Sequence, residues 1–216
     1  MEPLSHLFEN NKHWAKKVEI QNPGFFQTLT RQQPKYLWIG CSDSRAPANA
    51  IVGLKPGELF VHRNVANAVV HTDLNCLSVI QYAVDILKVE HIIVTGHYGC
   101  GGIITAMSNE KLGLIDNWLR HIKDVQHKHQ EQLREIDDLS KRQNRLCELN
   151  VIEQVMNVSQ ISIVQDAWQR GQKLQLHSWI YGVTDGILRD LKNNITNSKD
   201  AVEVYHRAIK LLASTH

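Results

Sequence analysis

The sequence has little that would direct this protein to nucleic acid, to a membrane or to an oxidising compartment. Lysine and arginine number 24 against 22 aspartates and glutamates, so no excess of positive charge is available for a polyanionic partner. The apolar runs are far shorter than a bilayer requires, and residues 1–17 lack the apolar region of a signal peptide. Four cysteines in 216 residues are too few for a disulfide framework. We therefore expect a cytoplasmic protein with free thiols or metal ligands, and no nucleic-acid or membrane partner.

Prolines and glycines are also sparse, at five and twelve. They are scattered, and the sequence has no repeat, low-complexity tract or flexible linker. We therefore expect one domain over residues 1–216. Apolar positions at helical spacing predict two leading helices, over 4–18 and 23–32. We interpret residues 1–32 as a helical arm that packs on a partner subunit.

Short apolar runs alternate with helical patterns through the rest of the chain. The runs predict four strands, at 36–40, 58–62, 91–95 and 173–181. Helices are predicted over 72–88, where Thr72 can cap the first turn, and over 101–108, 112–130, 150–170 and 200–213. This alternation indicates an α/β fold with a central, mainly parallel sheet flanked by helices. The charged segment 120–148 is interpreted as a solvated helical surface, in which His127 and His129 have no chemical role.

Two polar segments follow directly after predicted strands. Cys41-Ser-Asp-Ser-Arg45 follows the first strand, and His97-Tyr-Gly-Cys100-Gly-Gly follows the third. Ligands of open parallel sheets bind beyond the carboxyl ends of the strands, so a strand order of 2-1-3-4 would bring Cys41, His97 and Cys100 together. Two thiolates and an imidazole with an open fourth position are typical of catalytic zinc. Cys76 and Cys147 lie in helical patterns and are interpreted as packing residues.

Asp43 and Arg45 stand two and four residues after Cys41, so an extended backbone would project all three side chains to one side. Asp43 could bind the metal as a fourth ligand, or it could pair with Arg45 and leave that position to water. The pair would then act as a gate, whereas an ordinary loop ion pair is the alternative. The spacing of Cys41 and Arg45 does not fit a phosphatase cysteine loop, and no Cys-x-x-Cys or glycine-rich phosphate loop is present.

The combined motifs resemble those of the β-class carbonic anhydrases. Besides the two polar segments, the likeness covers Gln32-x-Pro34, the segment 57–67 (Gly-Glu-x-Phe-x-x-Arg-Asn-x-Ala-Asn) and the end of the last strand at 179–182. The resemblance implies Zn²⁺ held by Cys41, His97 and Cys100, with Asp43 and Arg45 as a catalytic dyad. The implied reaction is the reversible hydration of CO₂ to bicarbonate and a proton, by attack of zinc-bound hydroxide.

The resemblance also implies how the substrate is bound. Gln32 matches a substrate-orienting glutamine. A narrow apolar pocket at a dimer interface is implied for five residues, namely Phe60, Val65, Tyr82, Gly101 and Gly102. Without the resemblance, the aromatic and aliphatic members would be ordinary core residues, and Gln32 a polar residue at a helix end. The implied assembly is a dimer, further assembled as a dimer of dimers.

Within the family, the sequence resembles a bacterial subclass in which the aspartate itself can coordinate zinc and a second bicarbonate binds away from the metal. Trp38, Arg63 and Tyr181 match the residues of that second site. Arg63 could pair with a planar oxyanion while the two aromatic side chains donate N–H and O–H groups to it. Bicarbonate there would favour the state in which Asp43 closes onto zinc, which is allosteric inhibition.

Two alternatives stay open on the sequence. The metal site could hydrolyse an analogue of CO₂, such as carbonyl sulfide or carbon disulfide. The protein could also be a non-catalytic, bicarbonate-binding zinc protein in which Asp43 permanently fills the fourth position. The presence of Arg45 argues against the second alternative, because a permanently ligated aspartate needs no competing partner.

Overall fold

The structure, a computed structural model, describes residues 3–30, 32–108 and 110–214, and the chain forms two compact units, residues 1–33 and 34–216. The N-terminal unit contains helix α1 (Ser5–Gln21) and the short helix α2 (Phe25–Thr28). No side chain of α1 is buried, and Trp14 packs edge-to-face on Phe26 with 5.7 Å between ring centroids.

The second leading helix is shorter than predicted. It begins after Gly24, whose φ of 80° is left-handed, and ends at Thr28. Part of the predicted helix, residue 31, lies outside the described residues. Pro34 follows closely, and a proline disfavours helical backbone at the residue before it, which is Gln33 here.

The second unit is built on a five-stranded sheet of order β2-β1-β3-β4-β5. Its strands are β1 (Tyr36–Cys41), β2 (Leu59–Asn64), β3 (His91–His97), β4 (Gln175–Tyr181) and β5 (Leu188–Asp190). The first four strands are parallel, which confirms the predicted α/β fold and the order 2-1-3-4. The antiparallel strand β5 was not predicted, because three residues with one apolar side chain carry no periodic pattern.

Eight helices follow β1 in the described part of the second unit. They are α3 (Ala48–Val52), α4 (Leu74–Gln81), α5 (Gly101–Met107), α6 (Ile115–Lys128), α7 (Gln130–Arg134), α8 (Leu139–Gln160), α9 (Ser162–Gln169) and α10 (Ala201–Ser214). Among the described residues, no helix combines the length and apolar character needed to cross a bilayer.

Two predicted helices differ in detail. The helix predicted over 72–88 is capped by Asp73, whose carboxylate accepts from the Asn75 N–H at 3.0 Å, and not by Thr72. It continues as a π-helical turn, Tyr82–Ile86. The helix predicted over 150–170 covers only the second half of α8, which begins at Leu139, and it is interrupted at Ile161, whose extended backbone separates α8 from α9.

The two faces of the sheet are covered unequally. Leu37, Ile39 and Val94 point into the main core, which includes buried residues of α4, α5, α6, α8, α9 and α10. Trp38 and Ile93 point to the other face, where they form a smaller cluster with Ala48 and Leu59. Because side chains alternate along a strand, neighbouring residues of β1 point to opposite faces of the sheet and pack in different clusters.

The charged segment 120–148 is only partly the solvated surface that was predicted. His129 is 8% exposed, and its Nε2 lies 2.6 Å from Oε1 of Glu153, which is buried in α8. Lys128 and the Tyr205 hydroxyl also donate to Glu153, at 2.9 and 2.5 Å. A buried carboxylate is costly unless it is paired and hydrogen-bonded, so these donors join α6 and α10 to α8.

Candidate metal centre and active site

The predicted metal ligands meet at the carboxyl end of the sheet. Cys41 ends β1, His97 ends the adjacent parallel strand β3, and Cys100 immediately precedes α5. All three are buried, and their ligand atoms lie within 4.8 Å of one another. The two sulfur atoms are 3.8 Å apart. Tetrahedral zinc with Zn–S bonds of about 2.3 Å would place two sulfurs roughly 3.8 Å apart, so the cysteine pair fits this geometry.

The His97 ring is oriented as a metal-binding imidazole. Its Nδ1 lies 3.0 Å from the carbonyl oxygen of Tyr98, so the ring donates from Nδ1 and keeps the lone pair on Nε2. Nε2 is buried and has no hydrogen-bond partner. An unpaired buried nitrogen is unfavourable, and a cation held by this nitrogen and the two sulfurs would satisfy it.

The hydrogen bond between Cys41 and Cys100 shifts the pKa values of the two thiols in opposite directions. The hydrogen bond with Cys100 outweighs burial and lowers the pKa of Cys41. The pKa of Cys100 is raised by the same hydrogen bond to Cys41 and by burial. The pair therefore shares a proton between the two sulfurs, and a cation bound by both would displace it.

Asp43 and Arg45 form a bidentate pair beside these ligands. Arg45 Nε and Nη2 donate to Oδ1 and Oδ2 of Asp43 at 2.9 and 2.7 Å, and the Arg45 N–H donates to Oδ1 at 2.9 Å. The hydrogen bonds from Arg45 hold the pKa of Asp43 well below its usual range. Oδ2 also lies 3.7 Å from Nε2 of His97, so the carboxylate is adjacent to the ligand set while paired with Arg45.

Four of the five predicted pocket residues form two close pairs. The rings of Phe60 and Tyr82 have centroids 5.8 Å apart. A Cβ on Gly102 would lie 2.9 Å from Cγ1 of Val65, so glycine lets α5 approach the turn after β2. Gly101 has open space around it, at the start of α5. Gln32 is exposed and belongs to the N-terminal unit.

The second set of predicted residues shares one face of the sheet. The strand register aligns Arg63 with Gly40, Gly40 with Thr95, and Thr95 with Trp179. The indole of Trp38 lies so close to Gly40 that a Cβ added to Gly40 would be 2.4 Å from Nε1 of Trp38. Tyr181 lies on the same face of β4, two residues beyond Trp179.

Two contacts on this face were not predicted from the sequence. Arg63 donates from Nε to the Cys41 carbonyl at 2.8 Å and from Nη2 to the Asp43 carbonyl, so it binds the backbone on both sides of Ser42. The Thr95 hydroxyl is buried without a hydrogen-bond partner. A threonine within a strand is ordinary in sequence, so no pattern distinguishes this hydroxyl.

Comparisons with known proteins agree with this geometry. Residues 36–188 match the family described as carbonic anhydrase. The carbonic anhydrase of Emericella nidulans is 47% identical over 186 residues, covering 86% of this chain and 82% of that protein. The corresponding protein of Candida albicans is 36% identical over 193 residues, covering 88% and 68%.

Solved structures show the same fold. The Coccomyxa β-carbonic anhydrase, in complex with acetazolamide, superposes with a TM-score of 0.90 at 34% identity and covers 100% of both chains. A structure from Sordaria macrospora, described among two tetrameric β-carbonic anhydrases, has a TM-score of 0.84 at 39% identity and covers 88% of this chain and 98% of that chain. Since sequence, sheet order and the Cys-His-Cys cluster all agree, the chain belongs to the β class of the carbonic anhydrase family, the enzymes of reversible CO₂ hydration.

Proposed function

We propose that this protein hydrates CO₂ with Zn²⁺ held by Cys41, His97 and Cys100, and that the Asp43–Arg45 pair controls the fourth coordination position. The observation that carries the proposal is the buried, unpartnered Nε2 of His97 beside two cysteine sulfurs 3.8 Å apart. Zinc bound there would supply a water acidic enough to lose a proton near neutral or alkaline pH.

Asp43 orients the reacting water in the paired state. Its two oxygens are engaged by Arg45, and Oδ2 remains 3.7 Å from His97 Nε2, where it can also accept a hydrogen bond from water at the fourth position. If the pair with Arg45 breaks, the same carboxylate is free to turn onto the ligand set and fill that position. The paired arrangement of the structure favours an enzyme over a permanently closed, non-catalytic zinc protein.

The proposed substrate pocket is lined by apolar side chains and is completed by a second subunit. Phe60 with Tyr82, and Val65 with Gly102, provide a surface suited to a small uncharged molecule. Tyr82 is 44% exposed, and α1 carries the exposed side chains of Leu7, Phe8, Trp14 and Ile20. We infer that the arm packs on a partner, that the dimer completes the pocket with Gln32 and Gly101 at its border, and that dimers pair as in the tetrameric Sordaria proteins.

A second bicarbonate site, on the face of the sheet that carries Trp38 and Ile93, would regulate the Asp43–Arg45 gate. Arg63, Trp38 and Tyr181 would bind the anion, and the unpartnered Thr95 hydroxyl stands in the same row of residues. An anion that takes over the Arg63 guanidinium would compete with the Asp43 carbonyl for Nη2. The loop that positions the Asp43–Arg45 pair would then loosen, and the anion would stabilise the closed state.

Stopped-flow CO₂ hydration on zinc-quantified protein tests the proposal, from mildly acidic to alkaline pH, with and without bicarbonate. Hydration that rises with pH, and that bicarbonate suppresses at the lower pH values, is the expected result. Absence of hydration with one zinc per chain would overturn it, and the same preparation assayed with carbonyl sulfide would then identify the alternative hydrolase. We also place the activity in the cytoplasm, because the four free cysteines suit a reducing compartment, and cell fractionation tests this placement.

A further inference from the structure

Backbone strain is concentrated in the turn Val65–Asn67, which directly follows β2. Ala66 and Asn67 both take left-handed backbone, with φ of 62° and 45°. Left-handed backbone is unfavourable for a residue with a Cβ, and asparagine tolerates it better than alanine. Ala66 is therefore the strained member, and such a conformation persists only where its surroundings hold it.

Side chains on one face of α8 hold this turn and the residues after it. Asn150 donates from Nδ2 to the Ala66 carbonyl at 2.9 Å. Gln154 accepts from the Val69 N–H at 2.7 Å, and Asn157 donates to the Val69 carbonyl at 3.0 Å. Positions 150, 154 and 157 have the spacing of one helix face. We call these three side chains the amide row of α8.

The amide row is bonded internally and is buried where it meets the turn. Gln154 donates to Oδ1 of Asn150 at 2.9 Å, and Asn157 donates to Oε1 of Gln154 at 3.2 Å. Asn150 and Gln154 are 1% and 2% exposed. Each amide is thereby fixed in the orientation that its contact requires, and removal of one leaves buried partners unpaired.

The turn contacts both the metal centre and the proposed substrate pocket. A backbone hydrogen bond from Ala66 contributes, after that with Cys100, to lowering the pKa of the Cys41 thiol. A Cβ on Gly102 would lie 2.9 Å from Cγ1 of Val65 and 3.2 Å from the Cβ of Ala66. A change in the backbone of the turn would therefore alter a hydrogen bond to a metal-binding sulfur and the shape of the pocket.

We propose that the amide row of α8 positions the strained turn Val65–Asn67, and through it the Cys41 sulfur and the Val65 side chain, for CO₂ hydration. The three amides are positioning residues, because they act through the backbone of Ala66 and Val69. The inference rests on the proposed function, in which Cys41 holds zinc and Val65 lines the pocket. Groups that hydrogen-bond to metal ligands tune the affinity and reactivity of the metal. Loss of the row should therefore weaken zinc binding and raise KM for CO₂.

Asn150→Ala removes the donor to Ala66 and tests the proposal on the full-length protein. Its affinity for Zn²⁺, measured by chelator competition, should fall about tenfold, and KM for CO₂ on zinc-saturated protein should rise about fivefold with a smaller change in kcat. Asn193→Ala is the matched control, because Asn193 is also buried and donates instead to the Ile152 carbonyl of α8 at 3.3 Å. This control should lose stability but keep the zinc affinity and KM of the wild type.

Releasing the strain should make the amide row less important. Glycine adopts left-handed backbone without a steric penalty, so Ala66→Gly should keep the turn with less support from α8. In the Ala66→Gly background, Asn150→Ala should therefore reduce zinc affinity less than about threefold. If Asn150 only stabilised the fold, Ala66→Gly would not change the size of its effect.

The outcomes separate this proposal from the proposed function. Loss of zinc affinity in Asn150→Ala, retention in Asn193→Ala and rescue by Ala66→Gly support it. Should Asn150→Ala fail to fold, Asn157→Ala, at a partly buried position, should show the same changes at about threefold. Wild-type zinc affinity and KM in the folded variant, or equal losses in Asn193→Ala, would overturn it. A wild type that binds zinc without hydrating CO₂ would count against the proposed function and not against the positioning role.

Discussion

Two carboxylates in this protein have lowered pKa values for different structural reasons. Asp43 lies in the loop after β1, at the carboxyl end of the sheet, and depends on one partner, Arg45, which is itself exposed. Glu153 lies inside α8 and is held by three donors from outside that helix, namely Lys128, His129 and Tyr205. A carboxylate with one exposed partner can exchange that partner, whereas a buried carboxylate held by three donors is fixed in position. We therefore expect Asp43 to be the carboxylate that can move and Glu153 to be the one that stays in place.

Removing the single partner of Asp43 should have the largest effect. Arg45→Ala should lower CO₂ hydration by about 10²- to 10³-fold, because Asp43 then loses the partner that keeps it off the ligand set. Zinc content should stay at the wild-type level. Stopped-flow hydration with elemental analysis measures both, and full activity in Arg45→Ala would refute the gate.

Removing the charge of Glu153 should instead affect stability. Burial opposes ionisation of Glu153, but the hydrogen bonds from His129, Tyr205 and Lys128 outweigh it and lower the pKa from 4.5 to about 2. Glu153→Gln should therefore cost about 3 kcal/mol of unfolding free energy near neutral pH. Urea denaturation measures this cost, and the rate per folded molecule should not change. A stable variant with impaired hydration would contradict the comparison.

The stabilities of the wild type and of Glu153→Gln should converge as the pH falls. Because the pKa of Glu153 is depressed in the folded state, its stabilisation is fully present above about pH 4.5 and is lost as pH falls toward 2. The stability difference between wild type and Glu153→Gln should therefore shrink across that window. Denaturation midpoints at a series of pH values test the sign, and a gap that widens in acid would be contrary to it.

The smallest effect concerns the Thr95 hydroxyl. Thr95→Val is nearly isosteric and removes one donor from the proposed bicarbonate site, so the bicarbonate concentration for half-inhibition should rise about fivefold, or about 1 kcal/mol. Thr95→Ser keeps the hydroxyl and serves as the control, with inhibition near that of the wild type. Equal inhibition of the valine and serine variants would remove Thr95 from the site.

The clustering of the candidate metal ligands could be predicted from the sequence because their pattern is local. Cys41 and His97 each end an apolar run, and parallel topology requires adjacent strands to end together. The Glu153 cluster could not be predicted this way, because its partners are 24 to 52 residues away, and two of them, Lys128 and His129, lie in a segment whose charge pattern indicates a solvated surface. The cap of α4 was predicted at Thr72 and lies at Asp73, because threonine and aspartate both cap helices and the sequence does not fix the position of the first turn.

The backbone contacts of Arg63 separate what can change in this protein from what cannot. Arg63 donates to backbone carbonyl oxygens, which every residue possesses. These contacts therefore do not depend on which side chains segment 41–45 carries. We therefore expect a substitution of Arg63 on β2 to remove these contacts without changing Cys41, His97 or Cys100. If Arg63 binds bicarbonate as proposed, inhibition and zinc binding depend on residues of different strands, and one substitution on β2 can alter inhibition while the cluster of Cys41, His97 and Cys100 stays intact.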